Sequence, residues 1–267
     1  MRRTPRPAAL RRSRAPRPLL PAAVRPRAAA AVAVCIAVVA VLGTWLAHQS
    51  RAGWLDNAVD TRVRATLGAH PAILKLLVLL GDPAQVTWIT AALVVACLLT
   101  RRWRGAVLVA ICVPAAGFLT EHVLKPLIDR TSQGHPDFPS GHATAVFALA
   151  VSCTILLAGP LRPRLPAAVR LAAAAILLLV AAAVAAAVIG LGYHYFTDTI
   201  GGTAVGTGVV LATALVVDRL SPRERAGQFR DRRQARPQAG TAAGEPPRAG
   251  QPTAPTAALA DQDPAGR

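Results

Sequence analysis

The chain has 267 residues, of which 53% are hydrophobic, and its formal net charge at pH 7 is +17. Soluble domains contain roughly 45–50% apolar residues even with glycine counted, so this composition argues against a soluble globular domain. The arginines are concentrated in the two ends of the chain and in short segments beside apolar runs, as the positive-inside rule describes. No zinc, helix-turn-helix or aromatic-basic motif accompanies them, and we expect no nucleic-acid partner.

Six apolar runs follow one another, each close to the length that crosses a hydrocarbon core. They are Ala28–Ala47, Val86–Thr100, Ala106–Thr120, His142–Ala158, Arg170–Gly190 and Thr197–Val217. They predict an all-α fold, a polytopic membrane bundle of about six transmembrane helices. A further apolar patch, Ile73–Leu80, is too short to span the membrane and is expected to be interfacial or re-entrant.

The two ends of the chain differ in composition from its centre. Residues 1–27 are rich in Arg, Pro and Ala, and residues 221–267 are rich in Pro, Gly, Ala, Gln and Arg. Neither segment can bury a core, so both are predicted to be disordered tails beside a membrane domain at 28–220. The same bias toward Ala, Arg and Pro is typical of GC-rich bacteria, which favours the plasma membrane as the location.

The charges of the connecting segments predict the orientation of the spans. If the N-terminus is inside, the segment Arg101–Arg104, the loop before Arg170 and the C-terminal tail also lie inside, and all of them are basic. The outer segments 49–85, 121–141 and 191–196 then carry mixed charge. The positive-inside rule therefore predicts cytoplasmic termini and an extracytoplasmic face for the polar clusters described next.

The first polar cluster follows the third apolar run and contains Lys125 and Arg130. Basic side chains at the end of a span either hold an anion or extend along the interface to reach water. Their position on the outer side, against the positive-inside trend, favours an anion site.

The second cluster is Pro139-Ser140-Gly141-His142, which leads into an apolar run. Ser140 is suited to cap a helix, and the free N–H groups of a helix N-terminus bind phosphate. Gly141 would let the backbone approach an anion closely, and His142 could protonate a leaving alkoxide. An ordinary capped helix with an interfacial histidine is the alternative.

The third cluster contains His194 and Asp198, followed by Gly201 and Gly202. If the last helix begins here, the His and the Asp share one helix face one turn apart. Asp198 would then accept from one ring nitrogen of His194 and leave the other free as a nucleophile. A structural His–Asp pair is the alternative, although a carboxylate this close to a membrane is costly without a role.

In this order and on these span ends, the three clusters resemble the type 2 phosphatidic acid phosphatase superfamily, which also contains the vanadium haloperoxidases. The resemblance covers roughly residues 81–217. It implies that His194 is the nucleophile that forms a phosphohistidine, that His142 protonates the leaving group and that Asp198 orients the nucleophile. It also implies that phosphate oxygens are bound by Lys125, Arg130, Ser140 and Gly141.

Two arginines of the family pattern are missing. The second arginine of the first motif falls on Ser132, and the Ser-Arg pair of the third motif falls on Ala187-Val188. Each charge-assisted donor of this kind contributes about 1.5–3 kcal/mol, so their loss would slow phosphoryl transfer unless Arg130 or His135 substitutes.

Neither the cysteines nor the acidic residues have the spacing of a metal site. Glu121, Asp129 and Asp137 are scattered and are expected to be solvated loop residues, so no metal and no cofactor are predicted. The cysteines lie inside apolar runs without CxxC spacing, which indicates small buried side chains; they are Cys35, Cys97, Cys112 and Cys153.

The function predicted from these residues is a membrane lipid phosphate or pyrophosphate phosphatase. Polyprenyl pyrophosphate, phosphatidate and phosphatidylglycerol phosphate all present the same terminal phosphate, so the substrate class stays open. The alternative is a lipid-phosphate binding or transport-type protein that keeps the fold without hydrolysis, which the missing arginines favour. Transfer of the phosphoryl group to an acceptor other than water would use the same residues.

Overall fold

A computed structural model describes residues 18–132, 134–159 and 165–220. The segments 1–17 and 221–267, which contain most of the predicted disordered tails, lie outside the described residues.

The described residues form nine α-helices, one π-helical segment and a two-stranded hairpin. In chain order these are α1 (Arg25–Leu46), α2 (Trp54–Leu67), α3 (Pro71–Leu79), α4 (Pro83–Leu99), α5 (Trp103–Phe118), the π-helical segment (Leu119–Leu124), α6 (Lys125–Ile128), β1 (Thr131–Ser132), β2 (His135–Pro136), α7 (Gly141–Ala158), α8 (Ala167–Gly190) and α9 (Phe196–Arg219). The strands pair antiparallel, with Thr131 opposite Pro136 and Ser132 opposite His135.

Within these residues, five helical spans are long and apolar enough to cross a membrane, and a sixth forms if the bent pair α3–α4 is counted as one. One of the five runs without a break from α5 through the π-helical segment to α6. The predicted all-α membrane bundle is confirmed. The patch predicted to be interfacial or re-entrant corresponds to α3, which meets α4 at an angle of 47°.

The last helix, α9, is the centre of the bundle and packs against α1, α5 and α7. Glycines let α7 and α9 approach until backbone meets backbone. A Cβ added to Gly202 would lie 2.4 Å from the carbonyl oxygen of Ser140, and one added to Gly206 would lie 2.4 Å from that of Thr144. The close packing holds the beginnings of α7 and α9 side by side, and both carry predicted site residues.

A buried carboxylate lies at the end of the bundle where α9 terminates. Asp218, near the end of α9, accepts backbone N–H groups from Leu19 at 2.8 Å and Leu20 at 2.9 Å. Arg25 and Arg104 lie 3.6 and 3.4 Å from the same carboxylate, which is fully buried. Residues 18–24, which the sequence analysis counts with the N-terminal tail, therefore pack against the membrane domain.

The segment before α4 contains α3, which lies at the predicted apolar patch, and a further helix, α2, which was not predicted. Both pack against α8. Asp56 and Asp60, one turn apart on α2, are 1% and 3% exposed, which is unusual for carboxylates without partners. Their partners are found at the beginning of α9, where they help to build the site.

The close contact between α7 and α9 predicts opposite effects for two glycine substitutions. In Gly206→Ala, the new methyl group meets the backbone of Thr144 and Ala148, so we expect the free energy of unfolding to fall by about 1–3 kcal/mol. Gly117→Ala is the control, because nothing lies within 4 Å of its added Cβ, and helix propensity predicts an unchanged or higher stability. Thermal unfolding of the detergent-purified variants measures both, and an equal response would contradict the packing described here.

Candidate active site

The second predicted cluster forms the N-terminus of α7. Ser140 is the N-cap residue, as predicted, and its hydroxyl oxygen accepts from the backbone N–H of Ala143 at 3.4 Å. The preceding Phe138 is fully buried, and its ring lies against Gly201 of α9. The backbone N–H of Ser140 donates to the carbonyl oxygen of Asp198 at 3.0 Å. The motif predicted to bind phosphate is therefore fixed directly to the beginning of α9.

The structure brings the two predicted catalytic histidines together. The ring centroids of His142 and His194 are 6.2 Å apart, with an angle of 62° between the rings. Nε2 of His142 lies 3.0 Å from Oδ1 of Asp82, at the bend between α3 and α4. Gly81 passes next to the His142 ring, where an added Cβ would lie 3.0 Å from Cδ2. The α3–α4 bend thus supplies His142 with a carboxylate that the sequence analysis did not identify.

The expected pairing of His194 with Asp198 on one helix face is wrong. Helix α9 begins at Phe196 with Tyr195 as its N-cap, so His194 lies before the helix. Asp198 instead turns back to cap the helix, and its Oδ2 accepts from the backbone N–H of Tyr195 at 3.0 Å. The carboxylate beside His194 belongs to Asp137, whose Oδ1 lies 2.5 Å from Nδ1.

The contact between His194 and Asp137 is short but not aligned. Nδ1 of His194 has no hydrogen-bond partner of good geometry, and neither has Oδ2 of Asp137. The ring therefore lies within reach of the carboxylate without pointing an N–H group directly at it. Asp137 is 4% exposed, so the expectation that it is a solvated loop residue is wrong, whereas the Asp129 side chain is 60% exposed, as expected.

Arg130 is buried inside the protein, which corrects its predicted role as a phosphate ligand. Its Nη1 donates to Asp198 Oδ1 at 2.5 Å and to Thr197 Oγ1 at 2.6 Å, and its Nη2 donates to Asp56 Oδ2 at 2.6 Å. The guanidinium also lies 4.7 Å from the centre of the Tyr195 ring. Both terminal nitrogens of Arg130 therefore donate to protein atoms, and the side chain has no exposed surface.

Helix α2 supplies acceptors for the first turn of α9. Oδ1 of Asp56 accepts from the backbone N–H of Thr197 at 2.9 Å, and Oδ1 of Asp60 accepts from that of Phe196 at 3.1 Å. Carboxylates are stabilising at a helix N-terminus because the free N–H groups carry partial positive charge. Two acids spaced one turn apart in an outer segment were the available sequence signal for α2, but nothing in the sequence pointed to α9 as their partner.

Lys125 lies at the junction between the π-helical segment and α6, and its amino group donates to Oε2 of Glu121 at 2.7 Å. The other carboxylate oxygen of Glu121 reaches the N-terminus of α7, because a Cβ added to Gly141 would lie 2.6 Å from it. A carboxylate thus lies between two of the predicted phosphate ligands. Glu121 was expected to be a scattered loop residue, and its side chain is 45% exposed.

The positions of the missing arginines differ in their surroundings. Val188 is fully buried and packs with Leu74 and Val78 of α3. Ser132 lies half-buried in the hairpin, and His135 opposite it is exposed. At the position of the third-motif arginine, Val188 therefore contributes hydrophobic packing instead of a positive charge.

Three described residues have the spacing to hold a metal ion. Asp137, His194 and Asp198 each offer one ligand atom, and these atoms all lie within 4.8 Å of one another. However, Arg130 already brings a positive charge to Asp198. A metal ion bound there would have to displace or oppose that guanidinium, so the residues fit a metal poorly.

The arrangement defines a helical membrane protein with two imidazoles and a lysine around a helix N-terminus. A model of the PAP2 (type 2 phosphatidic acid phosphatase) superfamily matches residues 119–222. The chain is also similar to the crystal structure of a transmembrane PAP2 type phosphatidylglycerolphosphate phosphatase from Bacillus subtilis. That similarity has a TM-score of 0.57 and 16% identity, and covers 72% of this chain and 98% of that one. No curated protein sequence matches the chain.

Residues 119–222, which contain all three motifs, match the PAP2 superfamily model, and this match confirms the superfamily predicted from the motifs. The structural similarity supports the same fold over most of the membrane domain.

The buried carboxylate of Asp60 makes the stability of the protein depend on pH. Its pKa is raised from an ordinary value of 3.8 to about 6, first by burial and then by the charge of Asp56, against the opposing effects of the Phe196 N–H, Arg64 and Arg130. Because the pKa is raised on folding, the ionised form is disfavoured in the folded state. The resulting loss of stability is absent below about pH 4 and complete above about pH 6.

Replacing Asp60 with Asn keeps an acceptor for the Phe196 N–H and removes the charge. We expect Asp60→Asn to melt at a higher temperature than the native protein at pH 7.5, and the difference to disappear as the pH is lowered to 4. Asp129→Asn, which removes an exposed charge, is the control and should show no such trend. Equal melting temperatures at pH 7.5 would contradict the burial of an ionised Asp60.

Proposed function

We propose that the protein is an integral membrane phosphatase that hydrolyses lipid phosphates or pyrophosphates through a phosphohistidine intermediate. The observation that carries the proposal is the approach of His142 and His194 at the N-terminus of α7, beside Lys125. One imidazole is needed as the nucleophile and the other as the acid that protonates the leaving oxygen. No residue of this mechanism requires a metal ion.

In the proposed reaction, His194 attacks phosphorus while the bond to the lipid oxygen breaks. His142 gives its proton to that oxygen, and Asp82 stabilises the protonated imidazole at 3.0 Å from Nε2. Water then attacks the phosphohistidine, and His142 takes a proton from it, as microscopic reversibility requires. Orthophosphate and the dephosphorylated lipid are the products when the substrate is a monoester.

Phosphate binding in this proposal depends on the N-terminus of α7. The first N–H groups of a helix and its dipole attract anions, and Lys125 adds a full positive charge. Ser140 and Gly141 bring the backbone close to the phosphate oxygens. Since these residues lie at the ends of apolar spans, a phosphate on an amphiphile would reach them from the headgroup plane. We propose that this face is extracytoplasmic and that both termini are cytoplasmic, because the opposite loops are basic.

A second candidate function is lipid-phosphate binding without hydrolysis. It is favoured by the loss of both motif arginines, and by the use of Arg130 inside the protein. Hydrogen-bond donors stabilise the charge that develops on the phosphoryl oxygens in the transition state. The loss of such donors therefore lowers the rate of hydrolysis more than it lowers the affinity for the lipid phosphate. Transfer of the phosphoryl group to another acceptor is a variant of the leading proposal, since it uses the same phosphohistidine.

Phosphate release from purified protein distinguishes these functions. We expect the native protein to release phosphate from at least one of phosphatidate, phosphatidylglycerol phosphate and a polyprenyl pyrophosphate, with a rate that EDTA does not change. His194→Ala and His142→Ala should each lower the rate by about 100-fold or more while the protein stays folded. Folded native protein that binds these lipids without releasing phosphate would contradict hydrolysis and favour the binding function.

The Glu121–Lys125 pair predicts that a carboxylate competes with the substrate. Glu121→Gln removes the negative charge that lies against Gly141 and frees the Lys125 amino group. Exposed ion pairs contribute about 0.2–1 kcal/mol, so we expect KM to fall by up to about 5-fold with kcat little changed. Asp129→Asn is the control, because it removes a charge from the same outer segment without touching Lys125. A higher KM in Glu121→Gln would show that the carboxylate assists binding instead.

A further inference from the structure

The carboxylate beside His194 is that of Asp137, and it is almost completely enclosed. Oδ1 of Asp137 lies 2.5 Å from Nδ1 of His194, and the two side chains are 6% and 11% exposed. At this distance a carboxylate and an imidazole interact strongly, since little water separates or screens them. Its other oxygen, Oδ2, has no hydrogen-bond partner and can accept one.

Asp198, which the resemblance implies as the orienting residue, is committed elsewhere. Oδ1 accepts from Arg130 at 2.5 Å, and Oδ2 accepts from the backbone N–H of Tyr195 at 3.0 Å. Both contacts are internal to the protein, and the guanidinium reduces the negative charge that Asp198 can present to an imidazole. A carboxylate oxygen can accept a second hydrogen bond, and ligand atoms of Asp137, His194 and Asp198 lie within 4.8 Å of one another, but among the described residues no hydrogen bond joins Asp198 to His194.

The backbone holds Asp137 in place through a separate set of contacts. Its N–H donates to the carbonyl oxygen of Arg130 at 2.8 Å, and it directly follows the β1–β2 hairpin. The next residue, Phe138, is fully buried against Leu46 and Ile128. The backbone of Asp137 is therefore anchored on both sides of the residue.

We propose that Asp137 is the positioning residue of His194, a role that rests on the phosphatase mechanism proposed above. Asp137 accepts the Nδ1 proton, which leaves Nε2 with its lone pair free for attack on phosphorus. When the N–P bond forms and the P–O bond to the lipid breaks, the Nδ1 proton stays on the ring. The positive charge gained by the imidazole then faces Asp137, and His142 supplies the proton to the leaving oxygen.

The off-axis geometry of the contact fits this role. Catalytic hydrogen bonds are often poorly aligned without substrate and tighten in the reactive complex. The carboxylate oxygen already lies 2.5 Å from Nδ1, so alignment needs a change in ring orientation and no closer approach of the two residues. Asp198 and Arg130 act one step further away, by fixing the beginning of α9, which follows His194 in the chain.

Asp137→Asn tests the proposal with Asp129→Asn as the control, because the two acids lie on the same loop and only one touches His194. We expect Asp137→Asn to lower kcat by about 100-fold or more, with KM little changed and the native melting temperature largely retained. The titratable and charged groups around His194 are Asp137, Asp198, Arg130 and His142. When the charge of Asp137 is removed, the protonated form of the His194 ring is less stable. The acid limb of the pH profile of kcat/KM should therefore move to lower pH. A kcat within about 2-fold of native, with an unmoved acid limb, would overturn the proposal.

A second measurement does not depend on turnover or on the Asn variant folding. The nitrogen chemical shifts of His194 in 15N-histidine-labelled protein report which ring nitrogen carries the proton. We expect the Nδ1–H tautomer in the native protein and in Asp137→Glu, which retains a carboxylate, and a mixture of tautomers in Asp137→Asn. Native protein with the Nε2–H tautomer, or shifts unchanged by removal of the carboxylate, would contradict the role of Asp137 even where hydrolysis itself is established. Native protein that shows the Nδ1–H tautomer but releases no phosphate would instead contradict the proposed function alone.

Discussion

The surroundings of His142 and His194 depend on the interactions of the buried guanidinium of Arg130. It joins Asp56 on α2 to Asp198 on α9, and its own backbone carbonyl holds Asp137. Removing one member of a buried ion pair typically costs about 3–5 kcal/mol, because the remaining charge is left without a partner. The same guanidinium thus positions the loop before α7, the beginning of α9 and the extra helix α2, all of which surround the two histidines.

The two helix N-termini at the site differ in how their positive ends are compensated. The first turn of α9 is covered by Asp56, Asp60 and the capping Asp198, so its dipole is already matched by negative charge. The first turn of α7 is capped by the neutral hydroxyl of Ser140. In the proposed mechanism, a phosphate dianion would therefore be attracted to α7 rather than to α9, with Glu121 as its competitor.

The spans follow from hydrophobic run length and the Ser140 cap from a short local motif. The convergence of His142 with His194 was implied by the resemblance to the type 2 phosphatidic acid phosphatase superfamily. The sequence was not sufficient for Asp82, Asp137 and Arg130, whose partners lie far along the chain. Asp137 resembled a solvated residue because charge and loop position say nothing about burial. The His194–Asp198 spacing predicted a shared helix face, but the helix begins after His194 and uses Asp198 as its cap. Long-range contacts decided each of these cases.

The central claim is that His194 carries the phosphoryl group, and trapping the phosphorylated protein tests it most directly. Native protein mixed with a 32P-labelled lipid phosphate is quenched within milliseconds at alkaline pH, where phosphohistidine is stable. Mass spectrometry of the peptides then locates the phosphate. The account predicts acid-labile label on the peptide that contains His194, and none in His194→Ala. Folded protein that hydrolyses the lipid while the label is absent, or is found on another residue, would contradict it.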